Sequence, residues 1–458
     1  MVKRVSRREF LRMAGGTAAL GVLAACAPKP TPTEAPEEVQ PAATVAPAEV
    51  EPSVVTWWNA ERGGVMTDAH KEVAETYLEV FQAENPGIKI DMEYGLEEGF
   101  DDKLYTAFAA GEAPDVWAGI FAPEVARRGF LADLTPYMEV DKIKPEELWF
   151  EIGILRSSYN DRFYAVPRDG TAGIYGYNKD LFDELGVAYP KDDWTVADLR
   201  EIAIKLTDEE KGTYGLGGNE GSIGAVNWGP LSYNLGVDFV SDDGHQVKGH
   251  MDTPEAIAAL EWYYNLTAED KVTTHGSPVA EQMGWFTFLS GKVGMQSFSS
   301  WEIVELDESA TFEWGLVTPP CAKKGATHWA WTDAIIFYLW AESKVPDAGW
   351  KFLRFLSGRE AGKIAAEARV WTPVIPDVWL EAGWDKDPIW GAFWKEMQKP
   401  TKVPNYLRSE FQWECIGPAW DATWTRYVEE GERPLDAIVH EEVATAQDCL
   451  DKAYAGAE

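Results

Sequence analysis

The chain has 458 residues, 41 of them basic and 76 acidic, for a formal net charge of −35. So acidic a surface repels polyphosphate backbones, which excludes nucleic acid and other polyanions as partners but not uncharged solutes. Six dispersed histidines leave little material for a metal centre, and a chain this long exceeds what one hydrophobic core serves, so two lobes are expected.

Ser6-Arg7-Arg8-Glu9-Phe10-Leu11 places an arginine pair ahead of an apolar, Gly/Ala-rich run at 13–25, the order of parts in a twin-arginine export signal. The run is shorter than the ~20 apolar residues that a membrane span needs. It closes on Leu23-Ala24-Ala25-Cys26, which resembles a bacterial lipobox. That resemblance implies removal of 1–25 and a diacylglyceryl group on Cys26, which anchors the protein to the outer face of the cytoplasmic membrane. The plainer alternative is a cleaved signal followed by a chance cysteine. Residues 26–52 carry seven prolines and no apolar period, so they cannot bury a core. They read as a tether reaching about 80 Å if polyproline-like and about 30 Å as a coil.

A β-rich run at 53–58 follows, then a loop with Asn59-Ala60-Glu61-Arg62. Val73, Tyr77, Leu78 and Phe81 recur at helical spacing across 68–82. Asn85-Pro86-Gly87 stops that helix, and 88–92 alternates as a strand. A helix over 100–110, ended by Gly111, precedes a short strand at 113–117. The same rhythm resumes with a strand at 174–177 and a helix over 196–206, which implies parallel α/β layers in two units. Asp243-Gly244 predicts a hairpin turn between 239–240 and 246–247. Of the four cysteines, Cys321, Cys415 and Cys449 follow the tether; one pair can bond, and spacing does not say which.

Seven segments in order resemble the bacterial extracellular solute-binding proteins that include maltose-binding protein. They are Phe81-Gln82-Ala83-Glu84-Asn85-Pro86-Gly87-Ile88-Lys89-Ile90, Ala109-Ala110-Gly111-Glu112-Ala113-Pro114-Asp115-Val116, Phe130-Leu131-Ala132-Asp133-Leu134-Thr135-Pro136-Tyr137, and Tyr164-Ala165-Val166-Pro167 with Tyr177-Asn178-Lys179-Asp180-Leu181-Phe182. Trp194-Thr195 with its helix (the family's order reversed), Ser290-Gly291-Lys292-Val293-Gly294-Met295, and Asp347-Ala348-Gly349-Trp350-Lys351-Phe352-Leu353 complete the series. The resemblance implies two similar α/β lobes of the class II periplasmic-binding type, joined by a three-crossover hinge and closing on a ligand. The first lobe is expected to hold 53–160 and 328–375, the second 161–327 and 376–458. It further implies an ABC-importer component, with permease subunits and a small solute as partners and no cofactor.

Twenty-two tryptophans bear on the solute, because an electron-rich indole face attracts the C–H groups of a sugar ring while rim polar groups take its hydroxyls. For most of them core packing is the expectation, so position must select. In the resembling family a Trp after the Gly-Lys-x-Ala-Met segment stacks on sugar, which singles out Trp301. Glu61 and Arg62 inherit hydroxyl contacts by the same resemblance, against the alternative of a surface ion pair. Asp115, Trp117 and Phe121 form the other first-lobe loop, where Asp115 either binds or only caps the turn. Arg168 and Asp169 either fork hydroxyls or pair with each other. Trp331 and Asp333 lie where the chain returns to the first lobe, and Trp371 and Arg408 are further candidates. One more cleft-facing aromatic is expected in 411–420.

A glycosidase is the competing reading, since 76 acidic residues always contain a suitable carboxylate pair. Other catalytic patterns are missing: His440-Glu441-Glu442-Val443-Ala444 lacks the second zinc histidine, and Ser222 lacks a nucleophile-elbow glycine. Binding without turnover is therefore expected, of a sugar or of another solute such as a glycerol phosphate ester. A surface adhesin would account for the tether but not for paired α/β lobes.

Overall fold

The computed structural model describes residues 52–59, 68–95, 99–119, 122–218, 232–284, 286–400 and 405–457. Its strands in the first half are β1 (Ser53–Asn59), β2 (Ile88–Tyr94), β3 (Val116–Gly119), β4 (Ser158–Tyr159), β5 (Arg162–Phe163), β6 (Ala165–Pro167), β7 (Thr171–Ala172) and β8 (Ile174–Asn178). Then come β9 (Tyr214–Leu216), β10 (Val293–Phe298), β11 (Trp314–Val317), β12 (Thr332–Asp333) and β13 (Ile336–Leu339).

The β-rich run forms strand β1, whose alternate residues Val55, Trp57 and Asn59 are buried. It pairs in parallel with β2 and β3. Helix Asp68–Glu84 lays Val73, Ala74, Tyr77 and Phe81 on this sheet. Helix Phe100–Ala110 covers the other face and stops at Gly111, whose φ of +68° suits a residue without a Cβ and whose amide bonds the Phe108 carbonyl. The return strand β13 inserts between β3 and β6, antiparallel to both, giving the order β2-β1-β3-β13-β6.

The second sheet runs β11-β8-β10-β9. One face buries Phe288, Phe298, Ile303 and Leu306. The other buries Tyr175 and Met295 with helices Val196–Leu206, Pro254–Ala268 and Leu435–Ala457. Helix Val196–Leu206 starts on a capping box in which Thr195 and Asp198 satisfy each other's backbone donors. The expected pair of α/β lobes is present.

Between the sheets lies a two-stranded antiparallel ribbon, with Thr332 opposite Ala172 and Asp333 opposite Thr171. The chain passes out along β6–β7–β8 and back along β12–β13. A further segment touches the ribbon where Asp169 bridges to Pro373 and the Gly170 amide bonds the Thr372 carbonyl at 3.0 Å.

Two expectations are corrected. The second lobe does not resume at 376: Trp379 and Trp394 pack on Phe150 at 6.0 and 5.8 Å, and Trp384 stacks on Trp390 at 4.4 Å. The Trp379 indole donates to the Pro373 carbonyl at 2.6 Å, which turns the chain back onto the first lobe. The turn at 241–244 does form, with Gly244 at φ +83°, but no strands flank it. The disulfide joins Cys415 to Cys449 and leaves Cys321 as a buried free thiol.

Candidate ligand cleft

Open α/β sheets bind ligands beyond the carboxyl ends of their strands. In the first lobe those ends are Asn59, Tyr94 and Gly119. Glu61, Arg62 and Phe121 follow them and lie outside the described residues, as does Cys26. In the second lobe the parallel strands β9 and β10 end at Leu216 and Phe298, and Trp301 follows the latter.

The Trp301 turn is firmly built. Ser299 accepts from the Trp301 amide, while Glu302 Oε2 accepts from the Ser299 amide at 2.7 Å and its hydroxyl at 2.6 Å. Burial pushes the Glu302 carboxyl up to about 7, against the two Ser299 hydrogen bonds that pull it down. Ser300 reaches into the hinge: its hydroxyl lies 2.8 Å from both Thr171 Oγ1 and Thr372 Oγ1. This one serine therefore ties the turn to the outgoing crossing at Thr171 and to the first-lobe segment at Thr372. The Trp301 ring is only partly buried and meets Trp331 edge to face at 6.1 Å. Its Nε1 is buried without a hydrogen-bond partner among the described residues. Trp301 and Trp331 are thus brought together beside the ribbon, with Trp331 only 7% exposed.

Arg168, Asp169, Asp333 and Asp115 are all engaged within the fold. Arg168 forks onto Asp169 at 2.8 and 2.7 Å and lies 4.3 Å over the Trp371 ring. Of the two readings for that pair, mutual pairing holds, because both side chains are shut away from solvent. Asp333 is met by Arg156 Nε at 2.7 Å; burial raises its carboxyl, and Arg156 offsets part of that. Buried ions survive only when paired, and these two pairs brace the crossings. Asp115 caps its turn, accepting from the Thr56 amide and hydroxyl at 2.8 Å and from Ser343 Oγ at 2.6 Å.

Two indoles are corrected to core. Trp117 is 1% exposed between Phe108 and Tyr338, and Trp371 is 3% exposed on Tyr77. Arg408 sits at the surface and donates to the Asp242 carbonyl at 3.0 Å.

Sequence reasoning left the C-terminal aromatic unassigned. Trp420 and Trp424 are core, whereas Trp413 is 46% exposed on a π-helical turn, Gln412–Ile416. Such turns recur at functional sites. The Asn234 amide, which holds the Trp329 backbone at 2.9 and 3.1 Å, carried no signal in the sequence. A groove of about 890 Å³ lies elsewhere, between β11 and 385–396, and none of the candidate residues lines it. Among the described residues there is no group of ligating side chains fit for a metal and no helix long and apolar enough to cross a membrane.

Two α/β lobes joined by the braced β7–β12 ribbon define a bilobed binding protein. The chain belongs to the bacterial extracellular solute-binding protein family, whose sequence model matches residues 63–363. It is 27% identical over 289 residues to a binding protein of Brucella abortus, covering 62% of this chain and 67% of that one. It is 23% identical to the ABC transporter periplasmic-binding protein YcjN of Escherichia coli, covering 79% and 82%. Among solved structures it is similar to an ABC substrate-binding protein of Listeria monocytogenes in complex with cycloalternan, with TM-score 0.71, 22% identity and coverage of 88% and 99%. A solute-binding protein of Thermotoga lettingae bound with α-D-tagatose also superposes at TM-score 0.71, with 18% identity and coverage of 87% and 100%.

Proposed function

We propose that this chain is the substrate-binding component of an ABC importer, tethered outside the cytoplasmic membrane through a lipid on Cys26 and closing over a sugar or oligosaccharide. The observation that carries the reading is the Trp301–Trp331 pair, an aromatic surface built onto the hinge itself. A pyranose stacked there is gripped by the element that moves when the lobes close. The sugars named on the similar structures support the same class of solute. Trp413, exposed on the π-helical turn of the same lobe, offers a second platform. No turnover is expected, because the buried carboxylates beside the hinge are committed to Arg156, to Arg168 and, at Glu302, to the Ser299 cap.

The test is a melting screen with cycloalternan, maltotriose, α-D-tagatose and a glycerol phosphodiester. A solute that binds only the fold adds about 2.7 kcal/mol at a hundred times its Kd. The expected result is a shift with a sugar, recovered unchanged afterwards. A shift with the phosphodiester alone refutes the sugar class, and a shortened product above a heat-killed control refutes binding without turnover. Separately, Cys26→Ala should release the protein from the membrane; retention after a mild wash would refute the lipid anchor.

A further inference from the structure

Away from the hinge, the two lobes also touch. Arg127 ends the helix Ala122–Arg127, which follows β3, and its guanidinium lies 4.3 Å over the Phe411 ring. Arg128 Nη2 lies 3.2 Å from Glu414 Oε1, across 286 positions of sequence. Each side of this contact is fixed to its own lobe. Glu124 holds Arg128 at 2.8 Å, the Tyr105 ring lies 4.8 Å beneath it, and the Tyr105 hydroxyl bonds Glu124 at 3.1 Å. Opposite, Phe411 is buried in the second core against Tyr454. Glu414 rides on the π-helical turn that the Cys415–Cys449 disulfide fastens to helix Leu435–Ala457. Two adjacent arginines on one lobe, with Arg128 held in place by Glu124 and Tyr105, thus meet a ring and a carboxylate prearranged on the other.

We infer that Arg127 and Arg128 form a latch with Phe411 and Glu414 that sets how far the lobes close before any solute arrives. The inference rests on the solute-binding reading above. Because neither partner can follow the other when the lobes part, opening must break both contacts. The side chains of Arg128 and Glu414 are 34% and 45% exposed, so the ion pair is screened by salt and biases closure rather than locking it. Apparent affinity scales with the closed fraction, so losing the latch weakens capture by roughly three- to tenfold without touching the solute.

The experiment is small-angle scattering from the purified solute-free protein at about 0.05 M and about 1 M NaCl, a range that collapses the screening length several-fold. The wild type should expand with salt. Arg128→Gln and Glu414→Gln should each be expanded at low salt and respond little, and the two together should do no more than either alone. Glu414→Lys puts like charges together, so it should be the most open variant and should contract with salt, reversing the sign. Single variants as compact as wild type with its salt response intact overturn the latch, as do effects that simply add. A melting curve checks that each variant folds, and the sign reversal in Glu414→Lys is a signature that mere destabilisation does not produce. No solute is present, so a wrong choice of sugar shows only in the melting screen.

Discussion

Truncating Trp301 to alanine should separate ligand contact from core packing. The ring is partly exposed and meets Trp331 edge to face at 6.1 Å, so the solute-free fold loses about 0.5–1.5 kcal/mol of aromatic pairing plus part of an indole's burial. Against that, the change removes an Nε1 that is buried with no partner among the described residues, whose burial costs about 1–3 kcal/mol. The net loss should therefore fall below the ~3–5 kcal/mol of a fully buried tryptophan. Trp117, 1% exposed, is the control for that larger loss. Binding should behave the opposite way. A stacked indole at the centre of a site is worth about 2 kcal/mol or more, roughly thirtyfold in Kd. Calorimetric titration with whichever sugar shifts the melting point, beside urea unfolding without it, reads both quantities. Trp301→Ala should lose affinity and keep most of its stability, while Trp117→Ala should lose stability and keep affinity. Unchanged affinity in Trp301→Ala would falsify the stacking site.

Three further outcomes follow from the packing. Asp169→Asn should cost about 3–5 kcal/mol, because it leaves the buried Arg168 guanidinium facing an uncharged partner; urea midpoints check it, and a loss under about 1 kcal/mol refutes the buried pairing. Replacing both Cys415 and Cys449 with serine should cost about 4 kcal/mol, the chain-entropy value for a sequence separation of 34, and a neutral double variant refutes that account. Glu302 titrates higher in the fold than in the unfolded chain because burial disfavours its charge, so the folded state holds the extra proton. Its contribution is therefore complete below the ordinary glutamate range and is lost as pH rises through about 7. Wild-type stability should fall over that window by up to about 3 kcal/mol more than that of Glu302→Gln, and equal slopes in the two proteins refute it.

Local elements are legible in the sequence because their causes lie within a turn or two of chain. The helical spacing of 68–82, the strand at 88–92 and the stop at Gly111 each depend on neighbours, and each forms where its residues call for it. The lobed α/β class follows from such elements taken in order, since a helix after every strand forces parallel layers. What an individual side chain does is decided by residues far along the chain. Arg168 and Asp169 read equally as a hydroxyl fork or a self-contained pair until Trp371 and β13 close over them. Asp333 became a hinge brace only when Arg156 reached it, and Trp117 a core residue only when Tyr338 came back beside it. Nor could spacing choose Cys449 over Cys321 as the partner of Cys415, because a disulfide needs two Cα atoms within bonding reach, here 5.5 Å apart. Residue type decides which chemistry is possible along this chain; burial and partnership, which exist only in the assembled fold, decide which of its tryptophans and carboxylates are left to use it.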